Sequence, residues 1–133
     1  MLRILPPLCW TGLIAYFGGS QWGGTPTAAW LGPLLRALLP TASLEELAMA
    51  HLLIRKAGHV IEYAVLAGLW RRGVGGAWAP LSLAMLTACL DELRQSFTPG
   101  RVGSMTDVLL DGAAAVTALG LIALRARLRG PVS

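Results

Sequence analysis

The sequence predicts an all-α membrane protein with four transmembrane helices and a short outer interfacial helix. Of its 133 residues, 55% are hydrophobic and only 14% are charged, whereas soluble domains carry about 25% charged residues. Four apolar stretches approach the roughly 20 residues that a helix needs to cross a bilayer. Arginines gather at one end of these stretches. The length suits a single domain over residues 1–133.

The four predicted crossings follow one another along the chain, at about residues 2–17, 52–70, 77–95 and 106–124. Each is apolar apart from a few polar positions. The first stretch is the shortest, carries a basic residue near its start and is followed by small residues. Because these features also describe a signal peptide, cleavage of the first stretch remains an alternative to a retained anchor.

The segment between the first two crossings has its own signals. Residues 23–26 form a turn signal of glycine, threonine and proline. Residues 30–39 predict a short interfacial helix that Pro40 ends. Ser43 and Glu46 fit a capping box, so a long helix is expected to start there and continue into the second crossing.

The arginines predict the topology. Six of them lie at one end of the crossings, without any acidic residue among them: Arg3, Arg71, Arg72, Arg125, Arg127 and Arg129. The positive-inside rule places that end in the cytoplasm. We therefore expect a multi-pass protein of the cytoplasmic (inner) membrane, with both termini in the cytoplasm and the tight loop at residues 97–104 on the outer side. The net charge of +4 is then explained by the arginines that set the orientation of the protein in the membrane. No basic patch is interleaved with aromatic residues, so nucleic-acid binding is not expected.

Ionisable residues of three crossings are predicted to lie at one depth. With a rise of 1.5 Å per residue, Lys56, Glu92 and Asp111 each lie about 22 Å from the inner boundary. Lys56, His59 and Tyr63 share one helix face because they are spaced i, i+3, i+7. Since charged groups in a membrane usually face the bundle interior or a wet cavity, we expect one polar pocket that opens outward. The predicted binding residues are Lys56, Tyr63, Asp91, Gln95, Arg101, Asp107 and Asp111.

The chemistry of this pocket favours anions and proton transfer. Lys56 and Arg101 supply positive charge for a phosphate or carboxylate. His59 and Glu92 are candidates for a general acid and base. Without an activated serine or cysteine nucleophile, the pattern leaves open whether any bond is changed. No cofactor is expected.

A metal is not expected either. A site made of His59, Glu92 and Asp107 is conceivable, but one histidine beside the charged Lys56 is an unusual ligand set. The two cysteines lie alone in apolar runs with no C-x-x-C spacing, so they suggest neither metal nor redox chemistry.

Three segments resemble the VanZ-like family, a group of small bacterial integral membrane proteins. Residues 56–63 read KAGHVIEY, residues 91–101 read DELRQSFTPGR and residues 104–107 read SMTD. The resemblance covers about residues 55–120. Positions that match the family pattern are Lys56, His59, Tyr63, Glu92, Gln95, Arg101 and Asp107.

The resemblance implies a polytopic membrane fold and a link to antibiotic resistance, since the founding member is associated with resistance to the glycopeptide teicoplanin. Two positions depart from the pattern. Arg55 stands where an acidic residue is expected and Asp111 where an amide is common. An exchange of charge between Arg55 and Asp111 would preserve the local balance.

Three functions fit these observations. The first is binding or modification of an anionic cell-envelope amphiphile, either a membrane lipid or a lipid-linked envelope precursor. The second is a small transporter or proton relay, against which the inner halves of the crossings are apolar. The third is a polar network that only fixes helix packing. A homo-oligomer is compatible with each of them.

Overall fold

The computed structural model describes residues 2–130, which contain five α-helices, one short 3₁₀ turn and no strand. The all-α prediction is confirmed. The elements are α1 (Leu5–Phe17), a 3₁₀ turn (Ser20–Trp22), α2 (Gly24–Leu38), α3 (Leu44–Val74), α4 (Trp78–Ser96) and α5 (Met105–Leu128).

Helix α3 begins at the predicted capping box. The Ser43 hydroxyl accepts a hydrogen bond from the Glu46 amide at 3.2 Å, and the Ser43 amide donates to the Glu46 carboxylate at 2.7 Å. These two bonds satisfy backbone donors that the first turn of a helix leaves free. The helix then continues for 31 residues, so the long helix expected from the sequence is present.

Helix α2 starts earlier than predicted. The turn expected at residues 23–26 was wrong, because Gly24, Thr25 and Pro26 form the first helical turn. Proline is tolerated there since the amides of a first turn have no partner within the helix. The Thr27 amide donates to the Gly23 carbonyl at 3.1 Å. The Thr27 hydroxyl also lies 2.9 Å from His51 Nε2, which ties α2 to α3.

Helices α3, α4 and α5 pack against one another at the centre, while α1 and α2 lie mainly against α3. The shared core contains Tyr63, Leu66, Ala67, Ala88 and Ala115. The many alanines let the helix backbones approach closely. At the α4–α5 contact, a methyl group on Gly112 would lie 2.6 Å from Met85 Sδ, so the Met85 side chain would have to move to make room for it.

Besides its apolar core, the bundle buries several acidic residues and exposes many large apolar side chains. On α4 the buried side chains include Asp91, Glu92 and Gln95, whereas Leu90 and Leu93 of the same helix are exposed. Soluble proteins rarely bury acidic residues while they expose a continuous leucine surface. The surface of the bundle is therefore suited to an apolar surrounding.

Among residues 2–130, one helix is long and apolar enough to cross a membrane by length and composition, namely α5 (Met105–Leu128). Helix α1 is apolar but has only 13 residues. Helices α3 and α4 are long enough, but both carry several ionisable residues. Four crossings therefore do not follow from composition alone.

Two contacts show which helix ends lie together in the bundle. The start of α1 lies against the end of α3, since a methyl group on Gly73 would be 3.0 Å from the Arg3 carbonyl. Arg101, in the loop between α4 and α5, bonds the Phe17 carbonyl at the end of α1. One end of the bundle is therefore rich in arginine and the other holds the polar residues.

Candidate functional site

Two adjoining cavities lie at the polar end of the bundle. One has a volume of about 170 Å³ and the other of about 240 Å³. Arg55, His59 and Arg101 line both. The first cavity is flanked by apolar side chains such as Ile14 and Phe17, so positive charge and apolar surface meet in one place.

Lys56 is paired with Asp107 across the α3–α5 contact, where its ammonium donates to the Asp107 carboxylate. The pair lines the second cavity. Glu92, which is predicted to lie at the same depth as Lys56, bonds the Ser104 amide instead of Lys56. The positive charge of Lys56 is therefore largely balanced by Asp107.

Glu92 instead holds the start of α5. Its Oε2 accepts a hydrogen bond from the Ser104 amide at 2.8 Å, and Ser104 is the residue that caps α5. Glu92 is only 4% exposed. Its second oxygen, Oε1, is buried without a hydrogen-bond partner. One oxygen thus has a structural role and the other is free for a further contact.

His59 lies beside Asp111 on the facing helix. The distance from His59 Nδ1 to Asp111 Oδ2 is 3.5 Å, too long for a well-formed hydrogen bond. Asp111 is 1% exposed, and neither of its oxygens has a hydrogen-bond partner. Arg55 and Asp111, whose charges were expected to compensate each other, are not paired in the structure. The basic group next to Asp111 is His59, whereas Arg55 lines the two cavities.

Asp91 has partners for both oxygens. Arg94 donates to its Oδ1 at 2.8 Å and Gln95 to its Oδ2 at 2.6 Å. Gly18 packs so tightly against this group that any side chain there would overlap Arg94 or Asp91. The local network is satisfied within itself, as buried polar groups normally are.

Arg101 joins the outer loop to α1. It donates to the Gly19 carbonyl at 3.4 Å and, through a second nitrogen, to the Phe17 carbonyl. Burial, and then the charge of Arg55, lower the pKa of the Arg101 guanidinium. The group stays charged at neutral pH. The lowered pKa means that burial makes the charged form of Arg101 less favourable, and a nearby anion would reduce this cost.

The structure brings most of the predicted site residues to one place. Those that line the cavities are Lys56, His59, Asp91, Gln95, Arg101 and Asp107. Glu92 and Asp111 are buried next to His59. Tyr63 does not line either cavity; it is 1% exposed in the hydrophobic core, with its hydroxyl unpartnered.

Sequence reasoning missed two cavity residues of α3. Arg55 was considered only as a departure from a pattern, and Glu62 was not among the predicted site residues, yet both line the first cavity. The i, i+4 spacing of Arg55 and His59 was a usable signal, because it places them on one helix face. Trp22 and Thr27, from the segment before α3, also line this cavity, and no spacing in the sequence indicates that.

The sequence profile described as VanZ/LLP1 matches residues 4–126. The match includes all five helices except the last two residues of α5. No curated protein and no solved structure matches the chain.

Proposed function

The chain belongs to the VanZ/LLP1 family, and on that premise we propose that it is a multi-pass inner-membrane protein whose outward-facing pocket binds an anionic cell-envelope amphiphile. The pocket comprises the two cavities that share Arg55, His59 and Arg101. The proposal has two parts, the placement in the membrane and the ligand class.

The burial pattern supports placement in a membrane. Large apolar side chains such as Leu90, Leu109 and Leu121 are exposed on the helix surfaces, while carboxylates are buried between the helices. Aromatic residues lie near both ends of the bundle. Tyr16, Phe17 and Trp22 form an edge-to-face group with ring centres 5.0–5.9 Å apart, as expected at a membrane interface.

Four crossings follow if α1, α3, α4 and α5 all span the bilayer and α2 lies at its outer surface. The arginine-rich end is then cytoplasmic by the positive-inside rule, and both termini are inside. Reporter tags at each terminus test this arrangement in intact cells. Both tags should report the cytoplasm, and an externally accessible C-terminus would contradict the proposal.

The observation that carries the ligand class is the pair Arg55 and Arg101. Both line both cavities, and neither has a carboxylate within 4.0 Å among the described residues. Two guanidinium groups without a carboxylate partner, in one partly buried site, strongly attract a phosphate or carboxylate. Ile14, Phe17 and Leu52 line the same cavities and provide contact for a lipid chain.

Native mass spectrometry of the purified protein in detergent tests this ligand class. Phosphatidylglycerol should remain bound and phosphatidylcholine should not. Arg55→Gln is the clearest variant, because Arg55 has no hydrogen bond to lose within the described structure. It should weaken retention by about tenfold, equivalent to about 1.4 kcal/mol.

The matched control is Arg36→Gln. Arg36 is an exposed arginine of α2 that lines neither cavity and donates only to the Ala42 carbonyl. This variant should bind phosphatidylglycerol as the original protein does. Equal retention of both lipids, or equal loss in both arginine variants, would contradict the anionic pocket.

The family link extends the proposal to glycopeptide resistance. If the pocket acts on an envelope lipid, expression of the protein in susceptible cells should raise tolerance to teicoplanin, and Arg55→Gln should remove that effect. His59 and Glu92 are the candidate acid and base if the ligand is modified. Comparison of envelope lipids by mass spectrometry, with and without the protein, separates modification from binding.

Transport is the weaker alternative. Below His59 the buried residues of the described bundle are mainly apolar, including Leu66, Ala67, Ala88 and Leu119. An isolated charge costs several kcal/mol in such surroundings, so an ion path to the cytoplasmic end is unfavourable. A purely structural network accounts for Asp91 with its two satisfied oxygens. Among the described residues, however, it leaves Arg55 and Arg101 without a carboxylate partner.

A further inference from the structure

We propose that His59, Glu92 and Asp111 form a binding site for a divalent transition-metal cation, with Zn²⁺ as the best fit. The three residues come from α3, α4 and α5. Each offers a ligand atom, and these atoms lie within 4.8 Å of one another. The proposal does not depend on the identity of the amphiphile.

The first argument is that the ligand atoms lack partners. Asp111 is 1% exposed and Glu92 is 4% exposed. Both oxygens of Asp111, Oε1 of Glu92 and Nδ1 of His59 are buried without a hydrogen bond. A buried polar atom without a partner costs about 1–3 kcal/mol, and more when it is charged. Unpartnered polar atoms from three residues that approach within 4.8 Å of one another favour a bound ligand over an unliganded polar network.

The second argument is charge. Nearby cations do not pair with these carboxylates. Lys56 bonds Asp107, Arg94 bonds Asp91 and Arg101 bonds backbone carbonyls. Arg55 has no carboxylate within 4.0 Å among the described residues. Two carboxylates with a neutral imidazole carry a charge of −2. One divalent cation neutralises them, and buried charges are normally paired or bound to metal.

The third argument is geometry and ligand type. Zinc bonds to nitrogen and oxygen are about 2.0–2.2 Å long, so neighbouring ligand atoms lie roughly 3–3.5 Å apart. The 3.5 Å between His59 Nδ1 and Asp111 Oδ2 already meets this spacing. Imidazole with carboxylate suits Zn²⁺ better than Mg²⁺ or Ca²⁺, which prefer oxygen alone. Three protein ligands also leave a coordination position open.

The sequence pattern pointed to Asp107 as the third ligand, and it gave the single histidine and the nearby Lys56 as reasons against a metal. The fold changes the roles of Asp107 and Lys56. Asp107 pairs with Lys56 and is therefore not available as a metal ligand. Asp111, one helical turn further along α5, lies next to His59 and Glu92 instead. The pairing also reduces the repulsion that the Lys56 charge would exert on a cation.

The test uses the full chain in detergent, stripped with a chelator and then incubated with Zn²⁺ alone. Elemental mass spectrometry after gel filtration should find about one zinc per chain, and calorimetry should give the affinity. Asp111→Asn, Glu92→Gln and His59→Asn should each weaken binding by more than about 100-fold, because loss of even a residue that only orients a metal ligand costs about 10- to 100-fold.

Two variants serve as matched controls. His51→Asn removes the other histidine of α3, which bonds Thr27 instead. Glu45→Gln removes an exposed carboxylate in the first turn of the same helix, which lines neither cavity. Both should keep one zinc per chain. Helical circular dichroism and elution volume identify variants that are folded.

Spectra of the Co²⁺-substituted protein provide a readout that a structural role would not produce. Visible ligand-field bands should appear with one equivalent of Co²⁺ and should be absent in Asp111→Asn. The proposal is overturned if folded protein retains no zinc. It is also overturned if the three ligand variants bind zinc as well as the controls do, which would indicate adventitious binding only.

Discussion

Replacement of Glu92 separates its structural contact from its charge. The Oε2 oxygen accepts from the Ser104 amide at 2.8 Å, and the side chain is 4% exposed. Glu92→Gln keeps an oxygen acceptor of nearly the same shape, whereas Glu92→Ala leaves the Ser104 amide without its acceptor. The two variants therefore differ in the bond that starts α5, although both remove the charge.

The expected magnitudes follow from the bond type. A hydrogen bond to a charged acceptor contributes about 1.5–3 kcal/mol and one between neutral groups about 0.5–1.5 kcal/mol. Glu92→Gln should lower the free energy of unfolding by about 1 kcal/mol, and Glu92→Ala by about 2–3 kcal/mol. We expect Glu92→Gln to insert normally but to lose the function of the pocket.

Reversible unfolding in mixed micelles measures the stabilities, and teicoplanin tolerance of expressing cells measures the function. Equal stability of the glutamine and alanine variants would refute the role of the Ser104 bond. An active glutamine variant that is only less stable would show that the charge of Glu92 serves packing alone.

Three further predictions concern the start of α3, a helix contact and the outer loop. The hydrogen bonds from Ser43 lower the pKa of the exposed Glu46 carboxyl below 4.5; the stabilisation is thus present above pH 4.5 and lost as the pH falls through the lowered pKa. Carbon NMR titration should find this pKa, and Ser43→Ala should raise it toward 4.5. Trp10→Phe removes the bond from the indole to the Glu62 carbonyl at 2.9 Å and should cost about 0.5–1.5 kcal/mol in the same unfolding assay. Gly103→Ala places a methyl group against the backbone of α4 and should cost about 1–3 kcal/mol, while Gly120→Ala, where the space is open, should cost nothing measurable.

Helix positions were well predicted from the sequence because hydrophobic runs and end signals act locally. The capping box at Ser43 and Glu46 marks the start of α3, and the loop at residues 97–104 lies where the last two helices are joined. The start of α2 could not be predicted, because the glycine and proline that signal a turn are also acceptable in the first turn of a helix.

The sequence predicted that the polar side chains of the candidate site lie near one another, but it did not predict how they pair. Spacing places Lys56 and His59 on one face of α3, yet it does not decide which carboxylate of α5 each one meets. Asp107 and Asp111 are one turn apart, and the relative shift of two helices assigns the first to Lys56 and the second to His59. The cavity role of Trp22 and Thr27 depends on how the segment before α3 folds back, which periodicity does not encode.

Labelling of single cysteines in intact cells tests most directly whether the pocket faces outward from a membrane. In a background where Cys9 and Cys89 are replaced by alanine, Val102→Cys reports the pocket end and Val74→Cys the arginine-rich end; these positions are 85% and 45% exposed. A membrane-impermeant maleimide should label Val102→Cys in intact cells, and Val74→Cys only after the membrane is permeabilised. Labelling of Val74→Cys with protection of Val102→Cys would contradict an outward-facing pocket, and equal labelling of both in intact cells would contradict the transmembrane bundle.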